Sequence, residues 1–434
     1  MVNKLKNDIH EIKIDNKNNN KNNRRNIRKN KIAPERKILI RKNVMSMLFH
    51  LVSSIFGAFF FGAGILMLIW GSANIHPGIE EGDVIAGGNK LNIPEKISVF
   101  AQNAKYEALS NYLADNQVRK KIYKIENGAV APKPHDECYG CVEAKDAYLV
   151  NDVIDKARDI GLLEGQDVAF SSDAVFYKNC KIKYYLDETI LAILWREEVE
   201  GKIVTFAEVK IADASQFGRK LVNDSYGTGR QMFCSDLSKQ ANAVVGLNAD
   251  YYAFRSLGVT CYDGTIYRTE DSLDTLFIDE KGDFIFFDRK QKKSKEELQQ
   301  FVDDNNIKFG LSFGPIMVKD GVSVVNGGYP IGQIEEIYSR AGIGQMDQLH
   351  YLFVNIENYG EYRRPCPVKD YAPIMIEKGI KQGYNLDGGQ TSEVVFQGDF
   401  YNFVDYGNER DVSDIIFFAS ALPEDEETEC SLDN

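Results

Sequence analysis

An α+β body carried on one membrane-spanning helix is the architecture this sequence predicts, and three observations predict it. Residues 45–70 contain no Asp, Glu, Lys or Arg. Beyond residue 181, short β-branched and aromatic runs alternate with Gly, Asp and Asn. Helical patterns interrupt those runs at only two places. The expected whole is a single N-terminal transmembrane helix, a helical stalk region, and a C-terminal mixed β-sheet domain with a few packed helices.

The first 44 residues carry fourteen Lys/Arg against four Asp/Glu, a local charge of +10. The chain as a whole is at −12, so the remainder carries −22. This end is rich in Asn and Lys and has little to bury, which predicts a disordered tail. An acidic body is a poor partner for nucleic acid, whose affinity comes largely from counterions released at Lys and Arg contacts.

The apolar run at 45–70 reads MSMLFHLVSSIFGAFFFGAGILMLIW. As a helix it rises about 39 Å at 1.5 Å per residue, enough to cross a hydrocarbon core of about 30 Å. Arg36, Lys37, Arg41 and Lys42 crowd its N-terminal flank, while Gly-Ser-Ala-Asn follows it. The bias of basic residues toward the cytoplasm places the tail inside and everything after about residue 72 outside, with the lipid bilayer as a partner of residues 45–70.

A Pro- and Gly-containing linker follows at 76–88. Residues 94–127 then read as helical, with apolar positions at Val99, Ala104, Leu109, Leu113 and Val118. A turn-rich APKPHDECYGC loop precedes a second helical pattern at 146–161. This accessory region, 71–180, carries no catalytic motif. Its Cys138 and Cys141 are read as a local disulfide or two ordinary thiols, because no second ligand pair completes a zinc site.

From 181 onward the runs IKYYL, ILAILW, KIVTFAEVKI, AVVGLNADYYAF, TLFID, DFIFFD, GPIMV, LHYLFVNI, SEVVFQ and DIIFFA read as strands by length and β-branched content. Helices are expected at 294–305 and 368–380. The domain is expected to span 181–421, with an acidic tail at 422–434.

Histidines lie at 10, 50, 76, 135 and 350. Only His350 falls in the large domain, inside an apolar run, so neither a Ser-His-Asp triad nor a histidine-rich metal centre is supported. The sequence has no P-loop, no G-x-G-x-x-G and no H-E-x-x-H. No cofactor or metal is expected. Chemistry is left to carboxylates, arginines, amides and hydroxyls, a set suited to sugars and phosphates.

Five segments concentrate such residues: Val244–Tyr252 around Asn248 and Asp250; Phe313-Gly314-Pro315; Ser339-Arg340-Ala341-Gly342; Leu386-Asp387-Gly388-Gly389-Gln390-Thr391-Ser392; and Asn402 with Glu409-Arg410. An Asp-Gly-Gly after a strand lets the backbone approach a ligand, since glycine has no Cβ, though alone it reads as a hairpin turn. In this order and at about these intervals, over residues 181–421, the segments resemble the phosphodiester glycosidase family. The family pattern is an Asn-Gly-x-Tyr-Phe-like element, Phe-Gly-Pro, Arg-x-Ala-x-Gly, Leu-Asp-Gly-Gly-Gly-Ser-Ser, then Asn and Glu-Arg. Here Ala249 replaces the Gly after Asn, Gln390 the third Gly, and Thr391 the first Ser. Glu393 stands where the family usually has Thr or a small residue.

The resemblance implies a hydrolase that cleaves between a sugar's anomeric carbon and a phosphodiester, acting on a carbohydrate or sugar-phosphate polymer. It makes Asp387 the leading carboxylate, with Asp250 or Glu409 as a second, and Arg340 and Arg410 the phosphate-side groups. Asn248, Gly388, Gly389, Thr391, Ser392 and Asn402 are expected to hold sugar or phosphate oxygens. Tyr252, with Tyr251, is either a sugar platform or a half-buried strand residue. Gln390 and Glu393 keep open the alternative of a non-catalytic glycan-binding or exopolysaccharide-assembly protein.

Overall fold

In the computed structural model, residues 123–426 are described, apart from 165–166, 169, 179, 228, 271, 326, 331–337, 359–363 and 365. The expected disordered tail, membrane span and residues 94–122 of the first stalk helix lie outside these residues, as does 427–434 of the acidic tail; residues 123–127, expected to end that helix, are not helical. Among the described residues no helix is long and apolar enough to cross a membrane.

The chain forms β1 (Tyr139–Glu143), α1 (Val150–Asp159), β2 (Lys181–Leu186), β3 (Ile190–Val199), β4 (Lys202–Ile211), β5 (Phe217–Leu221), α2 (Cys234–Gln240) and β6 (Ala243–Asn248). It continues through β7 (Gly258–Tyr262), β8 (Thr265–Glu270), β9 (Thr275–Asp279), β10 (Phe284–Phe287), α3 (Lys295–Asp304), β11 (Ile307–Leu311), β12 (Ile316–Lys319) and β13 (Val322–Ser323). The last elements are β14 (Arg340–Asp347), β15 (His350–Glu357), α4 (Val368–Glu377), β16 (Gln382–Leu386), β17 (Val394–Phe396), β18 (Asp399–Phe400) and β19 (Asp414–Ala419).

These strands build three sheets. A nine-stranded sheet runs β1-β2-β3-β4-β15-β14-β16-β12-β13; two five-stranded sheets run β10-β9-β11-β7-β8 and β18-β17-β6-β19-β5. The pairings within them are antiparallel. The large sheet does not stop at residue 181: β1 pairs with β2 from Tyr139↔Tyr185 to Glu143↔Lys181. Cys138 just before it is buried and disulfide-bonded, while Cys141 is an exposed free thiol. Cys138 ends a short 3-10 turn, Asp136–Cys138, and is buried, whereas Cys141 stands on an exposed position of β1, so the local pair does not close.

The continuous apolar runs follow from burial on both faces of the large sheet. Along β3, Ile190, Ala192 and Leu194 enter a core shared with Val245, Leu247 and Phe418 of the β6 sheet and with Leu276 and Phe309 of the β9 sheet. Leu191, Ile193 and Trp195 enter the opposite core, under α1 and α4. Helix α1 buries Val150, Val153, Ile154 and Ala157, the i, i+3, i+4, i+7 stripe of an amphipathic helix. Helix α3 starts at a capping box in which Ser294 and Glu297 satisfy each other's backbone N–H.

The two smaller sheets are joined by one buried cation. Arg219 on β5 donates through Nε to Asp414 of β19 at 2.7 Å, and through Nη1 to the carbonyls of Cys261 on β7 and Gly310 on β11, at 3.1 and 2.5 Å. Asp250 lies 3.7 Å from its Nη2, and all three side chains are fully buried. Removing the guanidinium takes the counter-charge from Asp414 and leaves Asp250 with Arg255 alone. Arg219→Ala is expected to lose about 3–5 kcal/mol of stability. Urea unfolding would measure it, and a loss under about 1 kcal/mol would deny the cluster this role.

Candidate active site

Strand β16 runs along β14 with Leu386 opposite Ala341, then breaks at Asp387-Gly388-Gly389 into one short turn, Gly389–Thr391. The break is forced by close packing. A Cβ on Gly388 would stand 2.6 Å from the Ser339 carbonyl oxygen, and Gly389 holds φ +67°, which L side chains rarely adopt. The Gly389 N–H donates to that same carbonyl at 2.8 Å. The Ser339-Arg340 segment therefore supports the glycine turn with its backbone.

Asn248 at the end of β6 clamps the turn from the other side. Its Nδ2 donates to the Asp387 carbonyl at 2.6 Å, and its Oδ1 accepts from Glu393 N–H at 3.2 Å. The Asp387 N–H donates to the Ala249 carbonyl at 3.2 Å. The Asp387 carboxylate accepts from Thr391 Oγ1 at 2.8 Å and from Gly388 N–H at 3.0 Å. Burial pushes its pKa up to about 6, against the Thr391 hydrogen bond and the charges of Arg255 and Arg410. A half-buried carboxylate that ionises near neutrality is thus set at the end of a rigid sheet.

The groups around it are aromatic and cationic. Tyr251 stacks on Phe254 with ring centroids 4.4 Å apart. The exposed Arg410 donates to Tyr251 Oη at 3.1 Å. Arg255 lies over the Phe313 ring at 4.5 Å, donates to the Ser312 carbonyl at 3.2 Å, and stands 3.7 Å from Asp250. Its Nε is buried and makes no hydrogen bond. No motif singled out Arg255; its one sequence signal is an arginine four residues past Tyr251, in the same polar-aromatic turn.

Several residues nominated from sequence are used internally instead. Arg340 donates through Nε to the Cys366 carbonyl at 2.9 Å. It shares the α4-facing side of β14 with Gly342, whose missing Cβ accommodates Tyr371 and Met375, because Ala341 between them points into the opposite core. Asp250 is fully buried and accepts from the N–H groups of Tyr251 and Ser312 at 2.6 and 3.2 Å, so it acts on Arg255 and Arg219. Glu409 accepts from Ser235 N–H and Oγ at 2.9 and 2.7 Å, at the start of α2. Asn402 accepts from Val394 N–H at 2.7 Å and donates to the Ser392 carbonyl at 2.8 Å. Ser392 Oγ is buried and accepts from Asn355 Nδ2 at 3.2 Å. Tyr252 is fully buried, with its hydroxyl toward the Ser413 carbonyl, so it is core rather than platform. Asp387, Arg410 and the glycine turn remain together at the surface, with Tyr251.

Among the described residues no group of three or more His, Cys, Asp and Glu is placed to hold a metal ion.

Residues 241–419 match the family model described as phosphodiester glycosidase. The matched stretch runs from β6 to β19 and includes the turn at Asp387, so these residues are similar to a phosphodiester glycosidase domain. An SPbeta prophage-derived uncharacterized protein of Bacillus subtilis strain 168 is 20% identical over 196 residues, covering 44% of this chain and 30% of that protein. The chain thus spans under a third of that curated relative. The catalytic domain of zebrafish N-acetylglucosamine-1-phosphodiester alpha-N-acetylglucosaminidase, auto-inhibited by its pro-peptide, aligns with a TM-score of 0.45 at 13% identity, over 57% of this chain and 86% of that one. A hypothetical protein from Synechocystis aligns at 0.43 and 13%, over 53% and 62%.

The packing at Gly388 predicts that Gly388→Ala costs about 1–3 kcal/mol through a forced backbone shift. A thermal midpoint equal to that of the unsubstituted chain would show that the Ser339 carbonyl can give way.

Proposed function

We propose that this chain is a membrane-anchored, extracytoplasmic glycosidase that hydrolyses sugar-1-phosphodiester linkages in envelope or extracellular polysaccharide. The observation that carries the reading is the half-buried Asp387 at the glycine turn, under the charges of Arg255 and Arg410, whose guanidinium groups both lie over the Tyr251 ring at 5.6 and 5.7 Å. The uncharged run at 45–70 and its basic flank support the anchor, and a disulfide at Cys138 suits an oxidising compartment.

The chemistry follows from the charges. Breaking the bond from the anomeric carbon to the phosphate oxygen leaves positive charge on the sugar and negative charge on the phosphate. Asp387, ionised at neutral pH, stabilises the oxocarbenium-like carbon or guides water to it. The two guanidinium groups neutralise the departing phosphate, which is already a good leaving group and depends little on a strong acid. Tyr251 and Phe254 supply a flat apolar surface for a sugar ring. Arg410, exposed and held on one side by Tyr251, is the group best placed to meet a polymer arriving from solvent.

Two kinetic measurements on synthetic sugar-1-phosphodiesters and one of thermal stability test this. Asp387→Asn is expected to lower kcat by about 10²–10⁴-fold. The same substitution should keep or raise the thermal midpoint at neutral pH. A carboxyl whose folded pKa is raised contributes stability that is complete below about 3.8 and is lost as pH climbs through about 6, and an amide does not undergo that loss. In the unsubstituted chain, kcat/KM should rise through about pH 6 and then level, since the ionised form is the active one. Undiminished turnover by Asp387→Asn would remove Asp387 from the mechanism. Sugar-phosphate binding with no turnover by the unsubstituted chain would favour the glycan-binding alternative.

A second prediction concerns the cation that the motif did not reveal. Arg255→Met should raise KM for the phosphodiester by about tenfold or more, because a charge-assisted contact contributes roughly 1.5–3 kcal/mol. An unchanged KM would leave Arg410 as the phosphate group on its own.

A further inference from the structure

Glu393 is the most anomalous side chain next to the site. It directly follows the Asp-Gly-Gly turn and Ser392, at a position where an acid departs from the family pattern. It is fully buried, and neither carboxyl oxygen has a hydrogen-bond partner of regular geometry. An ionised carboxylate in that setting is strongly disfavoured. Alternation along the strand turns Glu393 to the same side as Val395, which packs with Cys234 and Leu237 of α2.

The groups that face it can be named element by element. From α2 comes the Cys234 thiol, pushed well up by burial and then by the charges of Glu393, Glu409 and Asp414. From the loop before β19 comes the Glu409 carboxylate, which Ser235 of the same helix α2 holds and whose charge acts on Glu393. From β6 comes Asn248, bonded to the Glu393 backbone. From β19 comes Asp414, committed to Arg219. No side-chain cation stands among them. Each Glu409 oxygen accepts one hydrogen bond from Ser235 and keeps a lone pair for another donor.

We propose that Glu393 is a positioning residue. It stays protonated, donates its proton to the Glu409 carboxylate, and so ties the 409–410 segment to the strand that leaves the catalytic turn, fixing where Arg410 meets the substrate. Two carboxylates at close range share one proton because both cannot ionise together. Burial, then the neighbouring Glu409 charge, pushes the Glu393 pKa up to about 9, so the tether holds at neutral pH and opens in alkali. The role given to Arg410 rests on the glycosidase reading; the tether itself does not.

The experiment therefore begins without substrate. Deuterium exchange of the peptide covering 405–411, corrected for intrinsic rates, is followed with pH in the full chain and in Glu393→Gln and Glu393→Leu. In the unsubstituted chain, protection should fall above about pH 9. Glu393→Gln, which keeps a donor and cannot ionise, should stay protected there. Glu393→Leu should be unprotected at neutral pH as well. The thermal midpoint supplies a second reading. A carboxyl with a raised folded pKa loses stability as pH rises to that value, so the midpoint of Glu393→Gln should exceed that of the unsubstituted chain increasingly between neutrality and about pH 9. Parallel curves for the unsubstituted chain and Glu393→Gln, in either measurement, overturn the tether. With substrate, Glu393→Leu should raise KM more than it lowers kcat, and Glu393→Gln should restore KM. If the exchange pattern appears and no variant turns over any sugar-phosphodiester, the glycosidase reading fails and the tether stands.

Discussion

The site depends first on a buried cation that never touches it. Arg219 lies between the β5-β19 pair and the carbonyls of β7 and β11, so one guanidinium fixes how the two small sheets meet. Its second carboxylate, Asp250, also orients Arg255 and accepts the N–H of Ser312, just before the Phe313-Gly314-Pro315 turn. Burying three charged groups is costly, and the cost is offset only because each has specific partners. Burial raises the Asp414 pKa, while Arg219 works to lower it. Arg255, one of the two arginines that bear on Asp387, is thus placed through an ionic chain that begins in the core.

Around Asp387 the fold uses its polar groups on itself. Asn248 spends both ends of its amide on backbone, and Asn402 does the same around Val394 and Ser392. Thr391 is committed to Asp387 and to the Gly388 carbonyl. A turn that breaks a strand leaves several N–H and C=O groups without ladder partners, and buried ones must be satisfied somewhere. Side-chain amides have the right reach and carry no charge to desolvate. The motif is therefore mostly a scaffold for one carboxylate, and few of its members remain for a ligand.

That division explains what the sequence made legible. Strands such as ILAILW and LHYLFVNI were readable because burial on both faces makes them continuously apolar. Helix α3 was readable in the helical pattern SKEELQQFVDDN at 294–305. The side toward which a motif residue points was not readable. Arg340 and Ala341 are neighbours, and only the register of β14 against β16 sends Ala341 into the shared core and Arg340 to the α4 side. Tyr251 and Tyr252 pose the same problem: one is half-buried beside Arg410 and the other fully buried. Arg255 lies outside every motif, and its place is set by Asp250 and Phe313, two contacts far apart in the chain or hidden in a turn. The extension of the sheet through β1 was masked by the turn-rich segment that precedes it.

The electrostatics of the site also limit how a phosphodiester could be used there. Against burial, the Thr391 hydrogen bond first, then the charge of Arg255, the Gly388 N–H and the charge of Arg410 hold the Asp387 pKa down. A phosphate seated between the two arginines draws on the same positive charge, so two anions compete for two cations. The competition favours a bound phosphate whose negative charge grows at the moment the sugar becomes positive. As the bond to the anomeric carbon lengthens, the arginines gain by following the phosphate, and Asp387 gains a new counter-charge in the oxocarbenium carbon. Both changes lower the energy of the separated charges more than that of the intact substrate, which is the condition for catalysis rather than mere binding. A site with a single arginine would give up the carboxylate's ionisation to hold the phosphate. On the proposed reading, two arginines, one fixed from the core and one exposed at the surface, would let one site do both.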